Sequence, residues 1–431
     1  MMTRHPRKIE DFKKVLFVTF FWPPSGKATV HWPLSMARHL RSFGWHPVVL
    51  TADKDTFAHA DVSLVDKADA SIRVVRARAL EPFGLYRSLL GKQKDEPLLA
   101  SEAISIDNRS LRHRLSIWIR MNLFVPDARI GWYWDAVKVG KQLLQSESID
   151  AVISIGPPHT AHLVGKTLST RFRIPHIPVF IDPWVDIVYY RNFTRNRLTL
   201  TLDRKFEQSV LQNASTVIFV TESMKEDYQK KYVWLKRKSR VLYWGYDEAD
   251  FVNMKPMRSK GKEILLHTGN IFDYQNPVEL WNTIAREVRK GRNLELVFVG
   301  TVSPGIKRSI ESAGLSTRTV FKGFLPYREV VRELMRASYL LVCATEKRHV
   351  PGKLFEYLRT GKPILAFGDD NAEVERILKE AHAGMLYPLL SNAQEFFRNA
   401  GKIRRRMPPI KKYARIEIAH ELAAILDSLL P

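Results

Sequence analysis

A lysine and a glutamate one helical turn apart form the clearest chemical pattern in the sequence. Lys353 and Glu356 lie in PGKLFEYLRTG, where Pro351 occupies the first turn of a predicted helix and Gly361 follows its end. The helix follows the apolar strand YLLVCAT, so its positive end and the Lys353 ammonium suit a bound diphosphate. Glu356, on the same helix face, suits the hydroxyls of a ribose. An ordinary surface ion pair is the alternative interpretation.

Two strands in the first half of the chain end in candidate catalytic residues. DAVISIG runs into PPHTAHL, which places His159 and His162 at the start of a helix. A histidine there can donate a hydrogen bond to a hydroxyl or to a developing charge, although a capping or core role is favoured for His162. FIDPWVD places Asp182 at the end of another strand. A carboxylate there holds hydroxyls, transfers a proton, or simply accepts turn hydrogen bonds before Pro183.

A turn of small residues, WPPSGKA, ends the first strand and leads into a helix. Gly26 lies in this turn, beside helix N–H groups that suit an anion or an acceptor. The three spaced glycines of the dinucleotide fingerprint are missing, so an ordinary turn between strand and helix stays the alternative.

Metal-binding patterns are weak in this sequence. Asp53 and Asp55 have the two-carboxylate spacing that some enzymes use to hold a divalent cation, but they directly follow a strand and are interpreted as a solvated turn. His159 and His162 have neither an HExxH pattern nor a cysteine partner. We therefore expect no metal and no cofactor.

Two runs of alternating strand and helix patterns must position these residues. Continuous apolar strands such as KVLFVTFF and DAVISIG in the first run, and EILLHTG and LELVFVG in the second, are typical of parallel sheets covered on both faces. A chain of 431 residues also favours two cores over one. We predict an α/β architecture with two Rossmann-like, doubly wound domains. The predicted boundaries are 1–245 for the first domain, 246–262 for the linker, 263–409 for the second domain, and 410–431 for a helix that packs on either domain.

The net charge of +23 calls for an anionic partner, which is nucleic acid, anionic lipid or a phosphorylated substrate. The basic residues are scattered over both halves and no nucleic-acid module is recognised, so nucleic acid is not expected. A basic, aromatic insertion near residues 80–134 interleaves Arg109, Arg112, Arg114 and Arg120 with Trp118 and aliphatic side chains. This insertion predicts either a helix packed on the first domain or one in peripheral contact with an anionic membrane.

The N-terminus is too polar for a signal peptide, and no apolar run approaches the roughly 18 residues that span a bilayer. Cys343 is the single cysteine and lies in the apolar run YLLVCA, where it is expected to be buried. A cytoplasmic protein is therefore expected, with peripheral contact at the inner face of the plasma membrane left open.

Taken together, these motifs resemble the retaining glycosyltransferases of family 4, particularly the branch active in bacterial cell-surface polysaccharide pathways. FWPPSGKATVHWPLSMARHL resembles the opening of that family, FIDPWVD its Asp-Pro-Trp element, and LLHTGNIFD with PGKLFEYLRTGKPILA its donor-binding segments. The resemblance implies the GT-B fold, in which two Rossmann-like domains face each other across a cleft. It also implies a metal-independent transfer that retains anomeric configuration, with the donor on the second domain and the acceptor on the first.

The resemblance assigns roles to several residues by position. Gly26 is expected near the donor phosphates or the acceptor, Gly269 and Asn270 at the cleft, Lys353 at the diphosphate and Glu356 at the ribose. His159, Asp182 and Lys353 are the candidate catalytic residues. The expected donor-binding residues are Gly26, Gly269, Asn270, Arg348, Gly352, Lys353, Leu354 and Glu356.

Two departures from the family pattern affect catalysis. Arg348 stands where many members have a second glutamate, and His267 to Pro277 contains neither the Arg nor the Lys that usually neutralises the leaving diphosphate. Lys347, Arg348 and Lys353 are expected to substitute for that pair. The expected function is hexosyl transfer from a nucleotide sugar to a lipid-linked or polysaccharide acceptor. A non-catalytic nucleotide-sugar or lipid-binding relative and a nucleotide-sugar epimerase are the alternatives.

Overall fold

A computed structural model describes residues 13–57, 60–80, 111–186, 195–254, 261–403 and 410–430. These residues form two compact units. Domain 1 contains the described residues up to Val220, Lys225–Leu242 and those from Ala419 onward. Domain 2 contains Thr221–Met224 and Tyr243–Ile418. Of the basic insertion predicted near residues 80–134, the part at 81–110, which includes Arg109, lies outside the described residues.

Domain 1 is built on a seven-stranded sheet in the order β3-β2-β1-β4-β5-β6-β7, and all neighbouring strands are parallel. The strands are β1 Lys13–Thr19, β2 Trp45–Ala52, β3 Arg73–Ala77, β4 Ala151–Gly156, β5 His176–Phe180, β6 Val217–Phe219 and β7 Ser239–Val241. Its helices are α1 His31–Leu40, α2 Ser63–Lys67, α3 Leu111–Leu123, α4 Tyr133–Ser146, α5 Thr160–Phe172 and α6 Arg197–Asn213.

Domain 2 is built on a six-stranded parallel sheet in the order β10-β9-β8-β11-β12-β13. The strands are β8 Glu263–Thr268, β9 Leu294–Val299, β10 Thr319–Phe321, β11 Tyr339–Cys343, β12 Ile364–Phe367 and β13 Gly384–Tyr387. The helices are α8 Val278–Arg289, α9 Pro304–Ser312, α10 Tyr327–Arg336, α11 Lys353–Thr360, α12 Ala372–Ala381 and α13 Gln394–Asn399. Buried apolar clusters cover both faces of this sheet, as continuous apolar strands require.

Two helices connect the domains along the chain. α7, Glu222–Lys231, begins in domain 2 and ends in domain 1, and α14, Arg415–Asp427, does the same. The end of α14 is held in domain 1, because Asp427 accepts hydrogen bonds from Lys13 Nζ at 2.6 Å and Trp45 Nε1 at 3.1 Å. The start of α14 is held in domain 2, where the Arg415 N–H donates to the Tyr246 carbonyl at 2.8 Å.

The predicted doubly wound architecture is confirmed by both sheets. The predicted solvated turn at Asp53 and Asp55 is a short 3-10 turn in which Lys54 and Asp55 are exposed. Cys343 is buried in β11, and burial raises its pKa to about 12. No helix within the described ranges combines the length and apolarity needed to cross a membrane.

Candidate functional site

The strand order of each domain brings the candidate residues to one place in that domain. In an open parallel sheet, ligands bind beyond the carboxyl ends of the strands, at the point where the strand order reverses. In domain 2 this point lies between β8 and β11, whose loops carry Gly269 and Lys353. In domain 1 it lies between β1 and β4, whose loops carry Gly26 and His159.

The Lys353 ammonium lies against a buried histidine of β8. Lys353 Nζ is 3.3 Å from His267 Nε2, and His267 Nδ1 is 3.0 Å from the Leu341 carbonyl oxygen. Because a carbonyl only accepts, Nδ1 carries the imidazole proton, and Nε2 is left to accept a hydrogen bond from the ammonium. The neutral imidazole thus fixes the position of the Lys353 ammonium and leaves its positive charge in place.

Burial changes the protonation of both groups. It lowers the pKa of Lys353 to about 8, while the nearby Cys343 and Glu356 side chains act in the opposite direction. Burial and the Lys353 charge also hold the pKa of His267 well below its usual value, so this imidazole is neutral at pH 7. A poorly solvated ammonium beside a neutral imidazole gains more from an anion than an exposed lysine does.

Two glycines shape the loop that faces this ammonium. Gly269 has φ +85°, and a Cβ at this position would lie 3.0 Å from Lys353 Nζ. Gly300 has φ +113°, and a Cβ there would lie 2.5 Å from the Gly269 carbonyl oxygen. Asn270 follows on the exposed side of the loop, where its Oδ1 accepts a hydrogen bond from the Thr301 N–H at 3.2 Å. The structure therefore brings Gly269 and Lys353 together, and their role in donor binding stays a prediction.

The first turns of α11 are fixed to the end of β8. Tyr357, one turn after Lys353, accepts a hydrogen bond from the Thr268 N–H on its hydroxyl oxygen at 2.9 Å. Glu356 is half-buried, and its Oε1 accepts a hydrogen bond from the Tyr327 hydroxyl at 2.7 Å. Burial and the Glu356 charge raise the pKa of Tyr327, which keeps this hydroxyl protonated as a donor. The Glu356 carboxylate therefore has a defined position beside the helix start.

The helix start itself is lined by Trp244. A Cβ at Gly352 would lie 2.7 Å from Trp244 Cδ1, so glycine is needed for this close packing. The Arg415 guanidinium also packs on Trp244, with its carbon 5.9 Å from the ring centre. Leu354, an expected donor-binding residue, is fully buried in the domain core, and its N–H donates to the Pro351 carbonyl at 2.9 Å. Its side chain therefore serves the packing of α11.

Arg348 lies on an exposed loop whose backbone is held by hydrogen bonds from the buried side chain of Asn371. The Asn371 side-chain amide donates to carbonyls of this loop, at Glu346 and His349, over 2.8 and 3.0 Å. The Arg348 side chain is exposed, while its carbonyl accepts a hydrogen bond from Thr221 at 3.4 Å. Lys347, expected to help neutralise the diphosphate, forms an exposed ion pair with Asp370 at 2.6 Å.

The turn that carries Gly26 in domain 1 is held by an arginine. Arg76 donates to the Pro23 carbonyl at 2.8 Å and to the Ala52 carbonyl at 2.9 Å. Gly26 is half-buried, and Lys27 is exposed along part of its side chain while its ammonium is partly desolvated. Burial, Arg129 and Arg120 all lower the pKa of Lys27, which indicates a positive potential at the start of α1.

His159 and His162 are buried at the start of α5. His159 stacks on Trp184, with ring centres 4.9 Å apart and planes within 6°. The Ser154 hydroxyl links His162 Nδ1 and His176 Nε2 over 2.9 and 2.8 Å. Burial lowers the pKa of His159 and His176 to about 3 and holds the pKa of His162 well below its usual value. His162 has the core role favoured from sequence, and the catalytic role of His159 stays a prediction.

Asp182 is half-buried just after β5, in a turn that a buried polar network positions. Trp184 donates from Nε1 to Asp203 at 2.7 Å and from its backbone N–H to the Tyr228 hydroxyl at 2.9 Å. The Tyr228 hydroxyl in turn donates to Glu207 at 2.8 Å. Because Asp203 and Glu207 lie one turn apart on α6, this helix fixes the turn that carries Asp182.

Family models match both domains of the chain. Residues 31–243 match the model described as "Glycosyl transferase 4-like domain", and residues 262–404 match "Glycosyl transferases group 1". The chain is a glycosyltransferase of the GT4 type. No curated protein matches this glycosyltransferase in sequence.

Solved structures share its two-domain GT-B fold at low sequence identity. Sucrose-phosphate synthase from Thermosynechococcus elongatus is 14% identical with a TM-score of 0.63, over 97% of this chain and 99% of that one. Anabaena HepE in complex with UDP and glucose is 14% identical with a TM-score of 0.62, over 96% and 100% of the two chains. A glycosyltransferase from Rickettsia africae is 12% identical with a TM-score of 0.63, over 97% and 99%.

Sequence reasoning missed several residues that shape the candidate site in domain 2 of this glycosyltransferase. His267, Tyr327, Trp244 and Asn371 all contact residues or loops that the sequence analysis singled out. One signal was present for His267, because it is a polar residue inside the apolar strand EILLHT, two positions before Gly269.

In the described part of the chain, no group of three His, Cys, Asp or Glu side chains has the arrangement of a metal site.

Proposed function

We propose that this glycosyltransferase transfers a hexose from a nucleoside-diphosphate sugar to a lipid-linked or polysaccharide acceptor, with retention and without a metal. Domain 2 binds the donor and domain 1 the acceptor. The observation that carries the proposal is the Lys353 ammonium, held by His267 against the Gly269 loop, with Glu356 one turn further along α11.

The charges at the start of α11 are suited to binding a nucleoside diphosphate. The start of α11 adds the partial positive charge of a helix N-terminus to the Lys353 ammonium, and both attract a diphosphate. Glu356 accepts hydrogen bonds, as ribose hydroxyls require. HepE, which shares the fold, is known in complex with UDP and glucose, so UDP-sugars are the first donors to test.

The same groups support departure of the nucleoside diphosphate. Negative charge grows on the bridging oxygen as the sugar bond breaks, and a poorly solvated ammonium stabilises this charge more strongly than it stabilises the ground state. The acceptor hydroxyl then attacks from the face that the diphosphate leaves, and the leaving oxygen takes its proton. This front-face route, which retains configuration, rests on the resemblance to family 4.

Lys353 also accounts for the departures from the family pattern. The segment from His267 to Pro277 has neither Arg nor Lys, and Lys347 is paired with Asp370. We therefore assign neutralisation of the diphosphate to Lys353, with His267 as its positioning residue. Arg348, which replaces the second glutamate of the family, is assigned to the exposed side of the donor.

A transfer assay tests the proposal. Labelled UDP-hexoses are incubated with the protein and a bacterial lipid extract, and release of UDP and incorporation of label are measured. Lys353→Met and Glu356→Gln should each lower the rate at least about a hundredfold, since both remove charge stabilisation at the donor. Lys379→Met and Glu375→Gln are matched controls on exposed positions of the neighbouring helix α12 and should leave the rate unchanged.

The outcomes separate the alternatives. Conversion of the UDP-sugar to an epimer without transfer would identify an epimerase. Donor binding with neither reaction, over a full panel of acceptors, would identify a non-catalytic relative. A transferred sugar with inverted configuration would overturn retention alone.

A further inference from the structure

A phenylalanine and an exposed tyrosine form a stacked pair on the loop after β8. The rings of Phe272 and Tyr274 have their centres 5.9 Å apart and their planes within 5° of each other. Tyr274 is 53% exposed, so its ring keeps a free surface beyond the contact with Phe272. We call Phe272 and Tyr274 the aromatic pair.

Hydrogen bonds fix the loop that carries the aromatic pair. Gln275 Oε1 accepts from the Phe272 N–H at 3.2 Å, and Gln275 Nε2 donates to the Cys343 carbonyl at 3.4 Å. The Asp273 carboxylate accepts a hydrogen bond from the Ser303 hydroxyl. The residues on either side of the exposed ring are therefore tied to the end of β11 and to the residue before α9. A ligand that contacts this ring loses little free energy in ordering it.

The aromatic pair lies at the same strand ends as the Lys353 ammonium. Gly269, which faces that ammonium, is three residues before Phe272 on the same loop. Burial and the charge of Glu346 raise the pKa of Tyr274, which indicates that the Glu346 carboxylate is near the ring. Glu346 belongs to the loop between β11 and α11. An exposed aromatic ring and a carboxylate therefore stand together beside the proposed diphosphate site.

An aromatic ring beside a carboxylate suits a sugar. One face of a hexopyranose presents C–H groups, and these pack on the electron-rich face of an aromatic ring. The hydroxyls of the sugar donate hydrogen bonds, which a carboxylate accepts. A nucleobase also stacks on aromatic rings, but the edge of uracil presents two carbonyl oxygens and a single N–H. A carboxylate beside the ring therefore suits a hexose better than it suits uracil.

We propose that Tyr274 and Glu346 bind the hexose of the donor, with Tyr274 against one face of the sugar and Glu346 accepting from its hydroxyls. This inference rests on the proposed function, in which Lys353 binds the diphosphate and Glu356 the ribose. The diphosphate joins the ribose to the hexose, so the hexose is the group left for these two side chains. Tyr274 then selects among hexoses, because a hydroxyl that projects from the packed face weakens the contact.

Calorimetric titration of UDP and of UDP-hexoses tests this inference on the full chain. The probe is whichever of UDP-glucose, UDP-galactose and UDP-N-acetylglucosamine binds the wild type most tightly. Tyr274→Leu should raise the Kd of the probe about tenfold, since the lost aromatic contact is with the sugar, and should leave the Kd of UDP within about twofold. Glu346→Gln should act in the same way, since it removes the charged acceptor for the hydroxyls.

Matched variants separate the aromatic contact from general effects. Tyr274→Phe keeps the ring and should bind the probe as the wild type does. Trp234→Leu removes an exposed aromatic ring of domain 1 and should change neither Kd. All variants should melt as the wild type does. Equal weakening of UDP and the probe by Tyr274→Leu, or no weakening of either, would overturn the inference. A higher KM for the acceptor at an unchanged Kd for the probe would assign the ring to the acceptor and overturn it as well.

Failure of this inference can be told apart from failure of the proposed function. A wild type that binds neither UDP nor any of the three UDP-hexoses contradicts the proposed function, and this inference with it. A wild type that binds UDP through Lys353, with Tyr274→Leu and Glu346→Gln variants that bind the probe equally well, contradicts this inference alone.

Discussion

In the proposed function, Lys353 binds the donor diphosphate without the Arg and Lys that the resemblance to family 4 leads one to expect. Its ammonium is poorly solvated, rests on the Nε2 of a neutral His267, and faces a loop that only glycine can form at Gly269 and Gly300. A poorly solvated cation gives up less water than an exposed one when an anion binds, so a single well-placed ammonium can contribute more than an exposed lysine does. The predictions at the residue scale follow from this arrangement.

Donor affinity should depend on pH through Lys353. The pKa of Lys353 is about 8 in the free protein, and only the ammonium form binds a diphosphate well. Affinity for UDP should therefore be constant below pH 7.5 and fall by about tenfold per pH unit above 8. Calorimetric titrations between pH 7 and 9 measure this dependence. Lys353→Met should bind UDP weakly at every pH, with no slope in this range.

His267 should act through the position and pKa of Lys353. His267→Leu removes the acceptor for the ammonium, and UDP affinity should fall about tenfold, the value of a hydrogen bond to a charged group. His267→Gln keeps an acceptor and should recover most of the affinity. Titrations at several pH values distinguish positioning from simple packing, because only loss of positioning shifts the pH at which affinity begins to fall. An unchanged pH profile in His267→Leu would refute the positioning role.

The buried histidines of domain 1 should make the protein sensitive to acid. Their pKa values are depressed in the folded state, whereas the unfolded chain binds protons below about pH 6.5. The free energy of unfolding should therefore fall as the pH drops below 6.5, by up to about 1.4 kcal/mol per pH unit for each histidine. Urea melts at pH 7 and pH 5 measure this slope. His176→Gln should flatten it, and His349→Gln, at an exposed site, should leave it unchanged.

At the scale of elements, α6 is a support for the turn that carries Asp182. Its Asp203 carboxylate binds Trp184 at 2.7 Å and forms an ion pair with Arg195 at 2.6 Å, with both charged side chains buried. Burial raises the pKa of Asp203 while Arg195 opposes that shift. Replacing a buried pair of this kind with apolar residues is often neutral for stability, whereas removing one partner leaves an uncompensated buried charge.

Removing one partner of this pair should lower the free energy of unfolding far more than replacing both partners with apolar residues. Asp203→Ala leaves the Arg195 charge buried without its carboxylate, and the free energy of unfolding should fall by about 3 to 5 kcal/mol. Arg195→Met/Asp203→Leu should recover most of that loss, although the turn at Asp182 loses its anchor. Chemical denaturation of the three proteins gives the comparison. A double variant as unstable as the single one would contradict this account.

Strands and helices with strong patterns were predictable from the sequence, and weak ones were not. The apolar runs KVLFVTFF, DAVISIG and YLLVCAT predicted central strands, and the proline and glycine around α11 predicted its ends. β7, with the sequence SRV, and β13, with GMLY, were missed because they are short and incompletely buried. Lys353 and Glu356 were singled out because they share one turn of a helix that follows a strand. The contact between Lys353 and His267, 86 positions apart, depends on β8 lying beside β11, and sequence spacing alone does not give strand order.

At the scale of the whole molecule, the candidate site residues are divided between the two sheets. Each domain has its own reversal of strand order, and each reversal carries residues that the sequence had singled out, Gly26 and His159 in one and Gly269 and Lys353 in the other. In the proposed function, part of the +23 charge serves a diphosphate at domain 2. Charge alone predicted an anionic partner, but only exposure and burial showed which cations are available to it.

Domain 2 is proposed to bind a nucleoside-diphosphate sugar through Lys353 and Glu356. Calorimetric titration of a panel of nucleotide sugars, starting with UDP-hexoses, into the wild type and into Lys353→Met and Glu356→Gln tests this binding. We expect one nucleotide sugar to bind the wild type and to raise its stability by about 2.7 kcal/mol at a hundred times Kd, and we expect both variants to bind it at least tenfold more weakly. Wild-type affinity in both variants, or no binding of any nucleotide sugar, would contradict it.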